Sequence, residues 1–250
     1  SYCNGESKTI KIKTNIGFEL EGTYNHKIKV FRDKEDVWVR LDEIRKDDYV
    51  LLDISKRWHI GTSKVTEEQA YAVGLMVCDG CWTNKYRIGF ATKDKELVLG
   101  LEKGMGHKFT KTNDDVHYNL DGIKKVLEWK EFWGFKNEHT KDKFIPEKIL
   151  KSNKKVTSAF VRGLFDTDGY CTVNEGRGTS IIVGFTNTSE KLVKQLQYIL
   201  SHYGIVSSLY TRKRENWNII YDLAITGIDC KNFYDEIGFG LKRKQELLKY

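Results

Sequence analysis

The stretch Gly74–Gly80, GLMVCDG, returns as Gly163–Gly169, GLFDTDG. Both fit Gly-Leu-x-x-x-Asp-Gly, and each follows a helix-like run, AYAV before the first and AFVR before the second. The C-terminal end of a helix carries partial negative charge, so an acid there costs stability. Its double occurrence, at Asp79 and Asp168, requires a reason other than helix stability.

The apolar positions of each run favour burial. Gly74 and Gly163, with the small neighbours Ala72, Cys78, Ala159 and Thr167, allow two such helices to approach closely. Packed side by side, the helices would bring Asp79 and Asp168 together. Carboxylates and backbone carbonyls, here with Gly80 and Gly169, are the oxygens that a hard cation such as Mg2+ prefers. Paired carboxylates holding such ions near a basic, strand-built surface suggest phosphodiester hydrolysis. A single Asp-Gly could merely start a tight hairpin; two matched copies favour the ion site.

The rest of the chain follows the same repeat. Thr66 and Gln69 form a capping-box signal at the start of the first run. After Gly80, strands are expected over Cys81–Thr83 and Tyr86–Thr92, then a helix from about Asp94, a strand near HYNLDG and a helix from Ile123 to Phe132. After Gly169 come Tyr170–Val173, a turn at EGRG, Ser180–Thr186, a helix from Ser189 to His202, two strands flanking Glu215-Asn216, and a helix from near Asp229. Residues 1–61 alternate in short bursts and read as a small β-rich unit, with a boundary near Gly61. The class is α+β.

With 42 Lys and Arg against 35 Asp and Glu, the chain carries a formal +7, a surplus that favours polyanions. Cations are interleaved with aromatics and amides in WTNKYRIGF, from Trp82, and LYTRKRENWN, from Leu209. On strands, such runs reach phosphates and base edges. The expected DNA-facing residues are Trp82, Lys85, Arg87, Tyr118, Arg177, Asn187, Arg212, Arg214 and Asn218. Trp217 also stands among cations, whereas Trp129, Phe132, Trp133 and Phe135 recur at helical spacing and read as core. No apolar run approaches the ~20 residues of a membrane helix. Five scattered cysteines, Cys3 among them, argue for reduced thiols, and the expected location is intracellular, in cytoplasm or nucleoid. Cys78-x-x-Cys81 has no second pair, so a zinc knuckle is not expected, and the six histidines show no ligand spacing.

The two Asp-Gly stretches resemble the paired signature motifs of the LAGLIDADG homing endonucleases, of the single-chain, two-repeat kind, over roughly Thr66 to Tyr250. The resemblance implies a pseudo-twofold αββαββα repeat, central motif helices, and two antiparallel sheets forming a saddle over double-stranded DNA. It implies that Asp79 and Asp168 bind two or three divalent ions across the scissile phosphates, and that a monomer cuts a long asymmetric site to leave short 3′ overhangs. The first motif departs in having Val77 where the second has Asp166. Each half should also supply a lysine beside the metal: Lys143, in KFIP, and Lys242, in GFGLKRKQELL, with Lys244 its close competitor.

GFELEGTYNHKIKVF resembles the intein motif built on Gly17, Thr23 and His26, and DVWVRLDEIRKDDYVLL is similar to the next part of the Hint fold. KDKFIPEKI is similar to the lysine-containing segment of intein endonucleases. The sequence opens at Ser1 and closes on QELLKY, without an intein's terminal residues, so it reads as an internal fragment in which His26 is structural. The expected organisation is a partial Hint region over 1–61 and an endonuclease domain over 62–250, with repeats at 62–150 and 151–250.

Overall fold

Thr66 and Asn153 start the two motif helices in the same way. Thr66 accepts from Gln69 N–H at 3.2 Å while the Gln69 side chain accepts from Thr66 N–H at 3.1 Å; Asn153 accepts from Val156 N–H at 3.1 Å. These caps satisfy N–H groups that a helix leaves without intrahelical partners. In the computed structural model, which describes residues 5–56, 58, 61–175, 179–213 and 219–249, helices α1 (Glu67–Asp79) and α5 (Lys154–Thr167) pack lengthwise against each other. Gly74 and Gly163 set their separation. A Cβ on Gly74 would lie 2.3 Å from Phe160 O, and one on Gly163 would lie 2.4 Å from Tyr71 O.

Each motif helix leads into a sheet. The first repeat continues with β6 (Gly80–Cys81), β7 (Arg87–Ala91), α2 (Lys95–Met105), β8 (Thr110–Lys111), β9 (His117–Asp121) and α3 (Ile123–Trp133). After α4 (Glu147–Leu150) and α5, the second continues with β10 (Gly169–Glu175), β11 (Thr179–Asn187), α6 (Glu190–His202), β12 (Ser208–Arg212), β13 (Ile220–Thr226) and α7 (Ile228–Glu236); α8 (Lys242–Leu247) follows. Both sheets are antiparallel with the same order, β6-β7-β9-β8 and β10-β11-β13-β12. Gly80 pairs with Phe90 as Gly169 pairs with Phe185. The αββαββα repeat expected from the sequence is thus present twice.

Alternation divides each sheet into two faces. Ile88, Phe90, Tyr118 and Leu120 of the first, and Val183, Phe185, Leu209, Leu223 and Ile225 of the second, join the core shared with α1 and α5. Arg87 and Asp121, and Tyr210 and Arg212, lie exposed. Trp133 and Phe135 are buried as expected, but Phe132 is exposed: consecutive positions on a helix cannot all face one core.

The N-terminal strands β1 (Thr9–Lys13) and β2 (Glu19–Thr23) form one antiparallel pair, and β3 (Lys27–Arg32), β4 (Glu35–Arg40) and β5 (Tyr49–Val50) form a three-stranded sheet. Their small core holds Ile28, Val30, Val39 and Leu41. This region packs on the second repeat. Leu209 N–H and the Gln197 amide both donate to Ile16 O, at 3.0 and 2.8 Å, and Lys194 pairs with Glu19 at 2.8 Å. Thr23 and His26 lie exposed in the turn between β2 and β3; His26 N–H and carbonyl bond Thr23 O and Leu41 N–H, a turn-forming arrangement.

Candidate metal centre

The Asp-Gly dipeptides owe their glycines to the sharpness with which the chain leaves each helix. A Cβ on Gly80 would stand 2.3 Å from Met76 O, and one on Gly169 2.5 Å from Phe165 O, so the strand can run directly over the helix end only without a side chain. The acid just before each glycine is thereby held at the end of its helix. The packing of α1 on α5 brings the two ends together, close enough for the Asp168 charge to act on Asp79.

Asp168 is half-buried and accepts from the Asn187 amide at 2.6 Å. Asp79 reaches solvent, and no side chain among the described residues hydrogen-bonds it. Lost solvation pushes the Asp79 carboxyl up to about 6, the neighbouring Asp168 adds to this, and Lys143 and Lys244 act in the opposite direction. Burial likewise raises Asp168, opposed by the hydrogen bond from Asn187 and by the same two lysines. A like charge beside a desolvated carboxyl disfavours its ionisation, as Asp168 does for Asp79.

The lysines do not pair with the acids directly. Lys143, buried in the first half, donates to Cys78 O at 2.6 Å at the end of α1 and lies 5.6 Å from the Trp82 ring centroid. Lys244 donates to the carbonyls of Phe165, Asp166 and Gly169 at 2.9, 2.8 and 2.6 Å, and to Thr167 at 3.3 Å, around the end of α5. Each ammonium therefore offsets the negative end of one motif helix. Burial pulls the Lys244 pKa down. Among the described residues no cation forms an ion pair with Asp79 or Asp168. Two adjoining carboxylates without a fixed counter-charge fit a divalent cation, whose preferred donors are such oxygens.

Several expectations change. Lys242 is 82% exposed, 4.0 Å from Glu246, and it is Lys244, 7% exposed, that enters the site: two residues on a helix differ by roughly 200° in direction. Trp82 is buried against Trp129 and Phe135 with its ring N–H on Glu138 at 3.0 Å, so it cannot face DNA; the chain turns inward after Cys81, which also ends β6 early. Tyr118 points into the core by strand alternation. Asn187 is buried and orients Asp168 instead of meeting a ligand. The Gly169 carbonyl is occupied by Lys244, which weighs against its role as a metal ligand. Arg177, Arg214, Trp217 and Asn218, with Cys3 and His59, lie outside the described residues.

Lys85, in the turn before β7, and Arg87 and Arg212 are exposed, Arg87 beside Asp121 at 2.6 Å and Arg212 paired with Asp222. Asn119, missed in the sequence reading, shares the outer face with Arg87; alternation with the buried Tyr118 and Leu120 could have found it. Cys78 turns into the helix interface toward Leu164 O and Cys81 toward Thr83, so the Cys-x-x-Cys pair does not converge.

The raised Asp79 pKa has a measurable consequence. A carboxyl with a folded pKa above its unfolded value stabilises the fold while protonated, and this contribution is lost as pH rises through the folded value. For Asp79 the window runs from the ordinary 3.8 to about 6. Without divalent ions, the melting temperature of wild type relative to Asp79→Asn should fall across that window. Solvent contact at Asp79 keeps the effect modest. A difference that rises with pH, or stays flat, would refute the assignment.

The folded repeat and the paired helix ends define a LAGLIDADG-like α+β fold with antiparallel sheets. Residues 155–238 match the LAGLIDADG-like domain model. In overall shape the chain is similar to the homing endonuclease I-WcaI bound to its DNA recognition sequence, with a TM-score of 0.52 and 14% identity over 82% of this chain and 95% of that one. In sequence it is similar to the A subunit of DNA gyrase from Mycobacterium kansasii, 24% identical over 99% of this chain and 47% of that protein. It is also similar to a replicative DNA helicase DnaB from Synechocystis sp., 25% identical over 98% of this chain and 30% of that protein. A third relative is the alpha subunit of the ribonucleoside-diphosphate reductase NrdEB from Bacillus subtilis, 23% identical over 87% of this chain and 22% of that protein. The chain spans less than half the length of these curated relatives. No helix among the described residues is long and apolar enough to cross a membrane.

Proposed function

We propose that this chain is a site-specific endonuclease that hydrolyses both strands of double-stranded DNA with divalent metal ions, Mg2+ by preference, at Asp79 and Asp168. The observation that carries this reading is the pairing of two acids at adjoining helix ends, with no ion-paired cation among the described residues and one buried lysine at each helix end. A bound divalent ion would supply a polarised water and charge for the phosphate oxygens. The protein's own residues do the rest. Asp79 and Asp168 would hold the ions, with Gly80 O as a further donor, and Asn187 orients Asp168. Lys143 and Lys244 set positive charge where a phosphodiester transition state gathers negative charge. Lys85, Arg87, Arg212 and Asn119 would meet the duplex from the two sheets, the basic ones on phosphates, the amide on base edges.

The two sheets carry different outer residues, so a single chain would read an asymmetric site as a monomer. The relatives support a further reading. A gyrase, a helicase and a reductase share almost all of this chain while it covers half or less of each, as an element inserted into unrelated hosts would. We therefore read the chain as intein-borne, with residues 1–61 a partial Hint region and 62–250 the nuclease, acting on DNA inside the cell.

Incubation with a randomised or genomic DNA pool and Mg2+, followed by sequencing of the ends, tests the activity. A single long asymmetric site with short 3′ overhangs is expected. Retention of a specific duplex without cutting would make the chain a non-cutting, maturase-like binder, and neither binding nor cutting would refute the reading.

A further inference from the structure

Asp166 is the acid that the first motif replaces with Val77. Its carboxylate is buried and accepts from the Tyr71 hydroxyl at 2.7 Å, from Gly240 N–H at 3.0 Å to both oxygens, and from Leu241 N–H at 3.1 Å. Gly240 and Leu241 immediately precede α8. A Cβ on Gly240 would come within 2.5 Å of Asp166 Oδ2, so the backbone is drawn as close to this carboxylate as glycine permits. Three residues beyond Leu241, Lys244 turns its ammonium back onto the carbonyls that close α5. Where α8 begins therefore decides where that ammonium stands.

The first half holds its lysine differently. Lys143 is fixed by its own bond to Cys78 O, by the Ser189 hydroxyl donating to its carbonyl at 2.6 Å and by the Trp82 ring, and no carboxylate among the described residues bonds it. Carboxylate hydrogen bonds to backbone N–H groups are charge-assisted and strong. They tie the start of α8 to the motif helix itself, so lysine and metal-binding acid move as one body.

We propose that Asp166 is a positioning residue for Lys244: by anchoring Gly240 and Leu241 to α5 it sets the second lysine beside Asp168, and so governs cutting of one DNA strand more than the other. The strand bias rests on the nuclease reading above; the anchoring does not.

Asp166→Asn keeps the shape but removes the charge and one acceptor oxygen. Two measurements separate positioning from general support. Amide exchange over residues 240–247 should quicken by about tenfold or more while α1 keeps its protection. In cleavage, one strand should slow by about tenfold or more, leaving nicked DNA, with the other strand within about twofold. Adding Asp166→Asn to Lys244→Met should cause no further loss, because the residue acts through that lysine. Unchanged exchange over 240–247, equal slowing of both strands, or full additivity with Lys244→Met would overturn the proposal. Should Asp166→Asn fail to fold, Tyr71→Phe removes a single donor and should produce the same strand bias in smaller measure; equal strand rates there would overturn it too. If wild type cuts no DNA, the nuclease reading falls alone and the exchange measurement decides the anchoring.

Discussion

Asp79→Asn combined with Asp168→Asn is expected to abolish DNA cleavage in Mg2+, by ~1,000-fold or more, while binding of the cognate duplex in Ca2+ stays within a few fold. Asparagine preserves the shape of each acid but removes the charge that a divalent ion requires. The single variants separate charge from architecture. Asp79 has no hydrogen-bonding side chain among the described residues, so Asp79→Asn breaks nothing in the protein, and its loss of cutting reports the charge alone. Asp168→Asn also disturbs the bond from Asn187, so it should cost some stability as well. Undiminished cutting by the double variant would remove both residues from the chemistry.

The second large effect concerns the lysines. Lys143→Met and Lys244→Met should each slow cleavage by ~100-fold while duplex affinity changes by only a few fold, because in the proposed reaction charge developing on the attacked phosphate would be met by a preorganised ammonium. Lys242→Met, at an exposed position, should leave the rate unchanged. The lysines also satisfy helix-end carbonyls, and losing a buried partner costs about 1–3 kcal/mol. Rates should therefore be measured well below each variant's melting temperature. Full recovery of rate on cooling would assign both residues to folding. A Lys242→Met protein slower than Lys244→Met would restore the surface lysine to the site.

The doubled Asp-Gly was legible because its causes are local. A helix that ends in an acid and turns at once over its own last carbonyls needs glycine next, and the small Gly74 and Gly163 mark the face on which two such helices meet. The order of elements was legible for a similar reason: periodicity and turn residues distinguish helix from strand without knowledge of partners. Lys143 was found through a resemblance of its segment, not through any local pattern. Asn187 is expected at DNA because it stands beside a predicted sheet strand; only the pairing of β11 with β10, the strand that leaves the end of α5, turns it onto Asp168.

By itself, then, the sequence determined the α+β class, the internal repeat and the two acids at the motif-helix ends, since each follows from short-range sterics and helix or strand period. Tertiary structure decided which side chains enter the site. Along a strand neighbouring residues face opposite ways, and along a helix a step of two reverses direction, so Trp82 and Tyr118 turn into the core and Lys244 replaces Lys242 once register and helix phase are set. Those phases are set by contacts far apart in the chain: the β7–β9 register for Tyr118, the packing of Trp82 on Trp129 and Phe135, and, at the start of α8, the Gly240 and Leu241 N–H groups that donate to Asp166.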